Sequence, residues 1–122
     1  MGTNFMSLPV LRGDVFKADL DPHEGSEQGG TRPVVVVSRD AINKFSPIVV
    51  IAPITDAANK KKSYPSHVRV AAGVAGLTID SIVVCEQVRA ISKGRLRTPL
   101  GKLDKATLTS IEAALKITLD LT

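Results

Sequence analysis

The chain has 122 residues, with 16 Lys plus Arg against 12 Asp plus Glu, a net charge of +4 and 43% hydrophobic residues. That is one domain with enough apolar content for a buried core, and its basic balance suits a polyanionic partner. No apolar run is long enough to span a membrane and no leader pattern precedes the domain, so a cytoplasmic protein with no membrane partner is expected.

Residues 1–9 carry no pattern and are read as a flexible N-terminal extension, in which the second Met at position 6 suggests either an alternative start or appended sequence; the domain is then 10–122. From Val15 the side chains alternate, Phe16, Ala18 and Leu20 on one face and Lys17 and Asp19 on the other, which predicts a half-buried strand. Asp21-Pro22 breaks it. A flexible loop with Gly25, Gly29 and Gly30 follows, and the β-branched run from Pro33 to Ser38 predicts a strand buried on both faces. Pro33 biases the residue before it toward extended backbone, so Arg32 is expected as the last loop residue, held at a strand edge.

Arg39 to Pro47 reads as a polar connection, and Ile48 to Ile54 as a third strand that presents Thr55 at its end. A loop with Lys60, Lys61 and Lys62 leads to His67-Val68-Arg69-Val70, whose alternation predicts His67 and Arg69 together on a polar face. Gly73 and Gly76 mark a turn, and Thr78 to Cys85 with Gln87 to Ile91 read as two strands or one bent strand. Leu108, Ile111, Leu115 and Leu119 recur at helical spacing after Asp104, which predicts a final amphipathic helix with Asp104 as its N-cap and Leu103 and Leu108 as a hydrophobic staple. The fold class is mainly β, five or six short strands in a barrel-like domain with a C-terminal helix.

Cys85 is the only cysteine and lies in an Ile-Val-Val-Cys run, where it reads as a small buried hydrophobe. With two His and no close His/Cys/Asp spacing, no metal site is legible and no cofactor is expected. The glycine-rich loop lacks the Gly-Lys-Ser/Thr ending of a nucleotide-binding P-loop, which excludes an NTPase of that kind. His23 reads as an exposed loop residue, so a two-histidine ribonuclease mechanism is not favoured.

Arg12-Gly13-Asp14-Val15, the stretch Gly25 to Pro33 (Gly-Ser-Glu-Gln-Gly-Gly-Thr-Arg-Pro), Asn43 to Pro47, Ala52 to Thr55, Pro65 to Val68 and Asp80 to Arg89 resemble, in order and spacing, the MazF/PemK family of toxin endoribonucleases. The resemblance runs from Arg12 to about Leu121. It implies an SH3-like barrel of the MazF/PemK/CcdB type, paired into a homodimer whose groove holds single-stranded RNA, with messenger RNA as substrate and an acidic MazE-like antitoxin as partner.

Cutting RNA without a metal requires the 2′-hydroxyl to attack the adjacent phosphorus while cationic donors carry the phosphorane's charge. Arg32 offers a planar fork that fits two phosphate oxygens, and its position matches the family's main catalytic Arg. Thr55 matches the second catalytic residue, with a hydroxyl able to reach the scissile phosphate. Because a guanidinium rarely gives up its proton, Arg32 is a poor general base, and Glu27 is the nearest carboxylate in sequence for that role. As implied by the resemblance, Ser26 and Gln28 shape the site and contact RNA, Arg12 holds a neighbouring phosphate and His67 touches substrate. Gln28, Asn43 and Gln87 are candidates for hydrogen bonds to bases, within family blocks that also carry Glu86 and Arg89. Phe45 and Tyr64 are the loop aromatics available for stacking. Two rivals share the fold: a CcdB-like gyrase-binding toxin, whose C-terminal Trp this chain lacks, and a non-catalytic SH3-like nucleic-acid-binding module.

Overall fold

A computed structural model describes residues 9–60 and 62–122. Phe5, Met6 and nearly all of the expected extension, with Lys61 of the lysine run, lie outside the described residues. Seven antiparallel strands form one curved sheet: β1 (Asp14–Asp19), β2 (Thr31–Val36), β3 (Ile48–Asp56), β4 (His67–Val70), β5 (Ser81–Val84), β6 (Arg89–Ser92) and β7 (Leu96–Lys102), in the order β4-β5-β3-β2-β1-β7. A short helix α1 (Asp40–Phe45) links β2 to β3, and α2 (Lys105–Leu119) closes the chain.

Strand β3 is nine residues long and serves two partners. Its first half pairs with β6, Val49 opposite Ile91, and its second half with β5, Thr55 opposite Ile82. That split bends the sheet into a barrel. Side chains then fall into two cores by the period of two. Phe16, Ala18, Val34, Val36, Val49 and Ile51 fill one face, while Val15, Val35, Ala52, Ile54 and Val83 pack on the other with Ile111 and Ala114 of α2. Both faces of β2 are therefore covered, which is why its valines run without alternation.

Helix α2 starts as the spacing predicts: the Asp104 carboxylate accepts the Thr107 backbone N–H at 3.0 Å. Leu103 and Leu108 belong to the core that α2 covers. Gly13 makes close packing possible there, because a methyl at this position, already at φ +95°, would stand 2.9 Å from Leu108 Cδ1.

Three expectations are corrected. Arg32 lies inside β2, opposite Ala18 of β1, rather than in the loop before it. Residues 40–45 are helical, since the polar segment is anchored by the buried Asn43 amide, which donates to Ser38 C=O at 2.8 Å. Strand β7 is an added strand, whose Pro99 and Gly101 and two register shifts against β1 erase any alternation. His67 and Arg69 share the face of β4 turned away from Val68 and Val70, as the alternation predicts, but the His67 side chain is covered, 3% exposed, while Arg69 is exposed.

Candidate active site

Strands β2 and β3 pair with Val34 opposite Pro53 and Val36 opposite Ile51, and the same register carried two residues on sets Arg32 against Thr55. Arg32 Nη1 lies 3.5 Å from Thr55 Oγ1, and Arg32 Nε donates to the Gly29 carbonyl at 2.7 Å. The guanidinium is thus fixed at one edge and leaves most of its fork for an anion. Thr55 is 4% exposed. Its hydroxyl oxygen also accepts from Asn59 Nδ2 at 3.3 Å, so two donors face the oxygen and its own proton is left to donate.

The loop between β1 and β2 is closed by local bonds. Asp21 accepts Gly30 N–H at 2.9 Å and His23 Nδ1 at 2.7 Å, and Leu20 N–H reaches Gly30 C=O at 3.0 Å, which the left-handed Gly30 (φ +70°) permits. The hydrogen bonds from Gly30 N–H and His23, with the nearby His23 and Arg32 charges, outweigh desolvation and hold the Asp21 carboxyl below its ordinary value. Arg95 Nη1 donates to the Asp19 and Asp21 carbonyls from outside the loop. Glu27 folds back on its own turn, Oε1 accepting Glu24 N–H at 2.8 Å, and its second oxygen has no hydrogen bond among the described residues.

Across a cleft of about 400 Å³ lined by Glu27, Gln28, Glu86, Gln87, Val88 and Arg89, the turn at Cys85–Gln87 faces this loop. Gln87 Oε1 accepts Gln28 N–H at 2.7 Å, and its Nε2 donates to Ser26 C=O at 3.2 Å. Arg89 Nη1 reaches Leu20 C=O at 3.4 Å. Glu86 accepts Ser66 Oγ–H at 2.7 Å and His67 Nε2 at 3.1 Å. Desolvation pushes the Glu86 carboxyl up, but these hydrogen bonds, its backbone N–H and the His67 charge together hold it below its ordinary value.

The fold therefore brings Arg32, Thr55, Glu27, Ser26, Gln28, Glu86, Gln87, Arg89 and His67 to one end of the β2–β3 pair. Arg12, Asn43 and Phe45 lie at the other end. Arg12 donates through Nε to Val37 C=O and pairs with Glu112 of α2 at 3.0 Å, five residues of strand, about 16 Å, from Arg32. A phosphate site beside Arg32 is not its place in this chain. Asn43 is 2% exposed and hydrogen-bonded to Ser38, so its amide is structural and cannot meet a base. Phe45, 78% exposed on α1, and Tyr64, 51% exposed, are open to solvent. Cys85 is fully buried. Sequence reading passed over Asn59, although the Thr55-Asp56-Ala57-Ala58-Asn59 order signals a capped turn: Asp56 accepts Ala58 N–H at 2.9 Å and swings Asn59 back onto Thr55. Among the described residues, no three His, Cys, Asp or Glu side chains gather as a metal site would require, and no helix is long and apolar enough to cross a membrane.

A small curved β-barrel with a C-terminal helix packed on it, and an Arg–Thr pair set across two of its strands beneath a polar loop, defines a class of small mainly-β domain with a cationic site at one end. Residues 11–119 match the family model described as PemK-like, MazF-like toxin of type II toxin-antitoxin system, and the chain belongs to that family. It is similar to the Endoribonuclease MazF of Staphylococcus epidermidis, 45% identical over 112 residues and covering 92% of each chain. Its fold is similar to that of a mycobacterial endoribonuclease solved in complex with its cognate antitoxin (TM-score 0.76, 26% identity, 92% of this chain and 96% of that one). The Deinococcus radiodurans MazF crystal structure shares the fold at TM-score 0.77, covering 91% and 96% of the two chains at 24% identity.

Proposed function

We infer that the chain is the endoribonuclease toxin of a type II toxin-antitoxin pair and that it cuts single-stranded RNA, messenger RNA above all, without a metal. The family match and the 45% identical endoribonuclease support the activity. The observation that carries the site is the Arg32–Thr55 pair, a fixed cationic fork beside a hydroxyl whose proton is free to donate.

In this reading the 2′-oxygen forms a bond to phosphorus as its proton leaves, and the bond from phosphorus to the 5′-oxygen breaks. Arg32 and Thr55 carry the charge that builds on the non-bridging oxygens. Glu27, through its uncommitted oxygen, receives the proton of the 2′-hydroxyl, and the departing 5′-oxygen takes its proton from solvent. The products are a 2′,3′-cyclic phosphate and a 5′-hydroxyl. Gln28, Gln87, Glu86 and Arg89 form the wall along which the strand lies, and the net charge of +4 draws the polyanion in. A homodimer in the cytoplasm, inhibited by an acidic MazE-like antitoxin whose carboxylates take the place of phosphates, completes the reading; the domain comprises residues 10–122.

Incubating the purified chain with a long RNA in EDTA and mapping both ends tests this. Cyclic phosphate and 5′-hydroxyl ends, lost in Arg32→Ala and Thr55→Ala, are expected. Ends of 3′-hydroxyl and 5′-phosphate, or a strict need for magnesium, remove the mechanism; salt-sensitive binding with no cleavage removes the nuclease reading.

A further inference from the structure

One buried titratable group is not used by the chemistry above. The His67 ring, at the start of β4, is 3% exposed, stands edge-on to Tyr64 with centroids 5.1 Å apart, and points Nε2 at Glu86 Oε2, 3.1 Å away. Its Nδ1 is buried and has no hydrogen-bond partner among the described residues. A carboxylate oxygen only accepts, so the ring donates from Nε2, and in the neutral ring Nδ1 is left as a lone pair, a smaller burden to bury than an orphan N–H. Neither nitrogen is free for RNA: one is spent on Glu86 and the other is shut off from solvent.

Glu86 is equally committed, its second oxygen taken by Ser66 at 2.7 Å. What this pair holds is the turn Cys85–Gln87, and the next side chain, Gln87, spans the cleft to bind Gln28 N–H and Ser26 C=O. One residue further along that loop, the Gly29 carbonyl fixes Arg32 Nε at 2.7 Å. The chain of contacts is continuous from a buried ring to the guanidinium. Across the roughly 400 Å³ cleft the loop leans on polar clamps rather than on apolar packing, so its order depends on where Gln87 is held.

We propose that His67 is a positioning residue: its hydrogen bond to Glu86 fixes the Cys85–Gln87 turn, so that Gln87 clamps the Ser26–Gln28 backbone and Arg32 stays in register with Thr55. The activity arm of this proposal rests on the nuclease reading; the loop order does not, and can be measured without RNA.

The test follows amide hydrogen exchange by NMR in the RNA-free chain, with steady-state cleavage alongside, for His67→Leu, His67→Gln, Gln87→Met and the double variant His67→Leu/Gln87→Met. Loss of the donor in His67→Leu speeds exchange at the Gln28 amide about tenfold and lowers kcat by a similar factor with KM nearly unchanged. Gln87→Met, which removes the clamp itself, speeds Gln28 exchange to the same extent, and in the double variant that exchange is no faster than in Gln87→Met alone. His67→Gln, whose amide keeps a donor facing Glu86, stays close to the parent in both readouts. Unchanged Gln28 exchange in His67→Leu overturns the proposal, as does a rise in KM alone, the mark of direct RNA contact. Exchange raised evenly over β4, β5 and α2 also overturns it, because that is the mark of core packing only. Selective loss of Gln28 protection in a chain that cuts no RNA upholds the positioning and discards the nuclease reading.

Discussion

Arg32 and Thr55 stand opposite each other across β2 and β3, 3.5 Å apart, in the register that Val34 and Pro53 continue. Each is held by pairing to a flanking strand, Arg32 opposite Ala18 of β1 and Thr55 opposite Ile82 of β5. A phosphate placed between them would meet groups that need little reorganisation, which is what makes such donors effective. Arg32→Ala is expected to lower kcat by about a hundredfold to a thousandfold without a change in Tm beyond a few degrees. Asn59→Ala, which frees one lone pair of the Thr55 hydroxyl and lets it turn inward, should cost about tenfold in kcat with RNA affinity preserved. Single-turnover cleavage beside RNA binding to an uncleavable 2′-deoxy substrate measures both.

Asn43 separates a structural amide from an RNA contact. It is 2% exposed and ties α1 to Ser38, so Asn43→Ala is expected to destabilise the fold by about 1–3 kcal/mol, read from the urea midpoint. The folded fraction should cut RNA at the parental rate. A loss of cleavage with no loss of stability would return Asn43 to the substrate path.

Cys85 is fully buried, and burial, with the neighbouring Glu86 charge, pushes its thiol up to about 12. At pH 8 almost none is thiolate, the form that reacts. The native chain should leave a disulfide-exchange reagent such as DTNB untouched over hours and release one equivalent once unfolded in guanidinium. Prompt reaction of the native chain would mean that the Cys85–Gln87 turn opens far more readily than its packing implies.

Glu86 sets a pH dependence of known sign. Its carboxyl titrates lower when folded than its ordinary 4.5, so the unfolded chain takes up its proton first as pH falls. The stabilisation is fully present above pH 4.5 and is lost as pH drops through the folded value. Glu86→Gln should therefore lower the urea midpoint at pH 6, and the gap to the parent should narrow as pH falls below 4.5 and close below the folded value. A gap constant across that range would show that the ionised carboxylate contributes nothing.

How much of this was legible beforehand depended on whether the signal was local. Helix α2, its Asp104 cap, the alternation of β1 and the β3 run ending at Thr55 are written in neighbouring residues, and family spacing placed Arg32 and Thr55 in one site. Strand β7 was not, because Pro99, Gly101 and its bulges against β1 remove the period that marks a strand. Helix α1 is not legible because six residues carry too little helical signal, and what anchors it is a side-chain bond from the buried Asn43 back to Ser38, which only burial reveals.

By itself the sequence determined a small basic mainly-β domain, a final helix, and the residue types needed to cleave RNA, since hydrophobic period, capping and motif spacing act over a few residues. Only the tertiary structure decided that Arg12 is bound to Glu112 at the far end of the barrel, that His67 is buried rather than exposed, and that Asn59 holds Thr55. Those outcomes depend on which strands pair and what covers each face. Pairing across dozens of residues is settled by the whole packed core, and no window along the chain contains it.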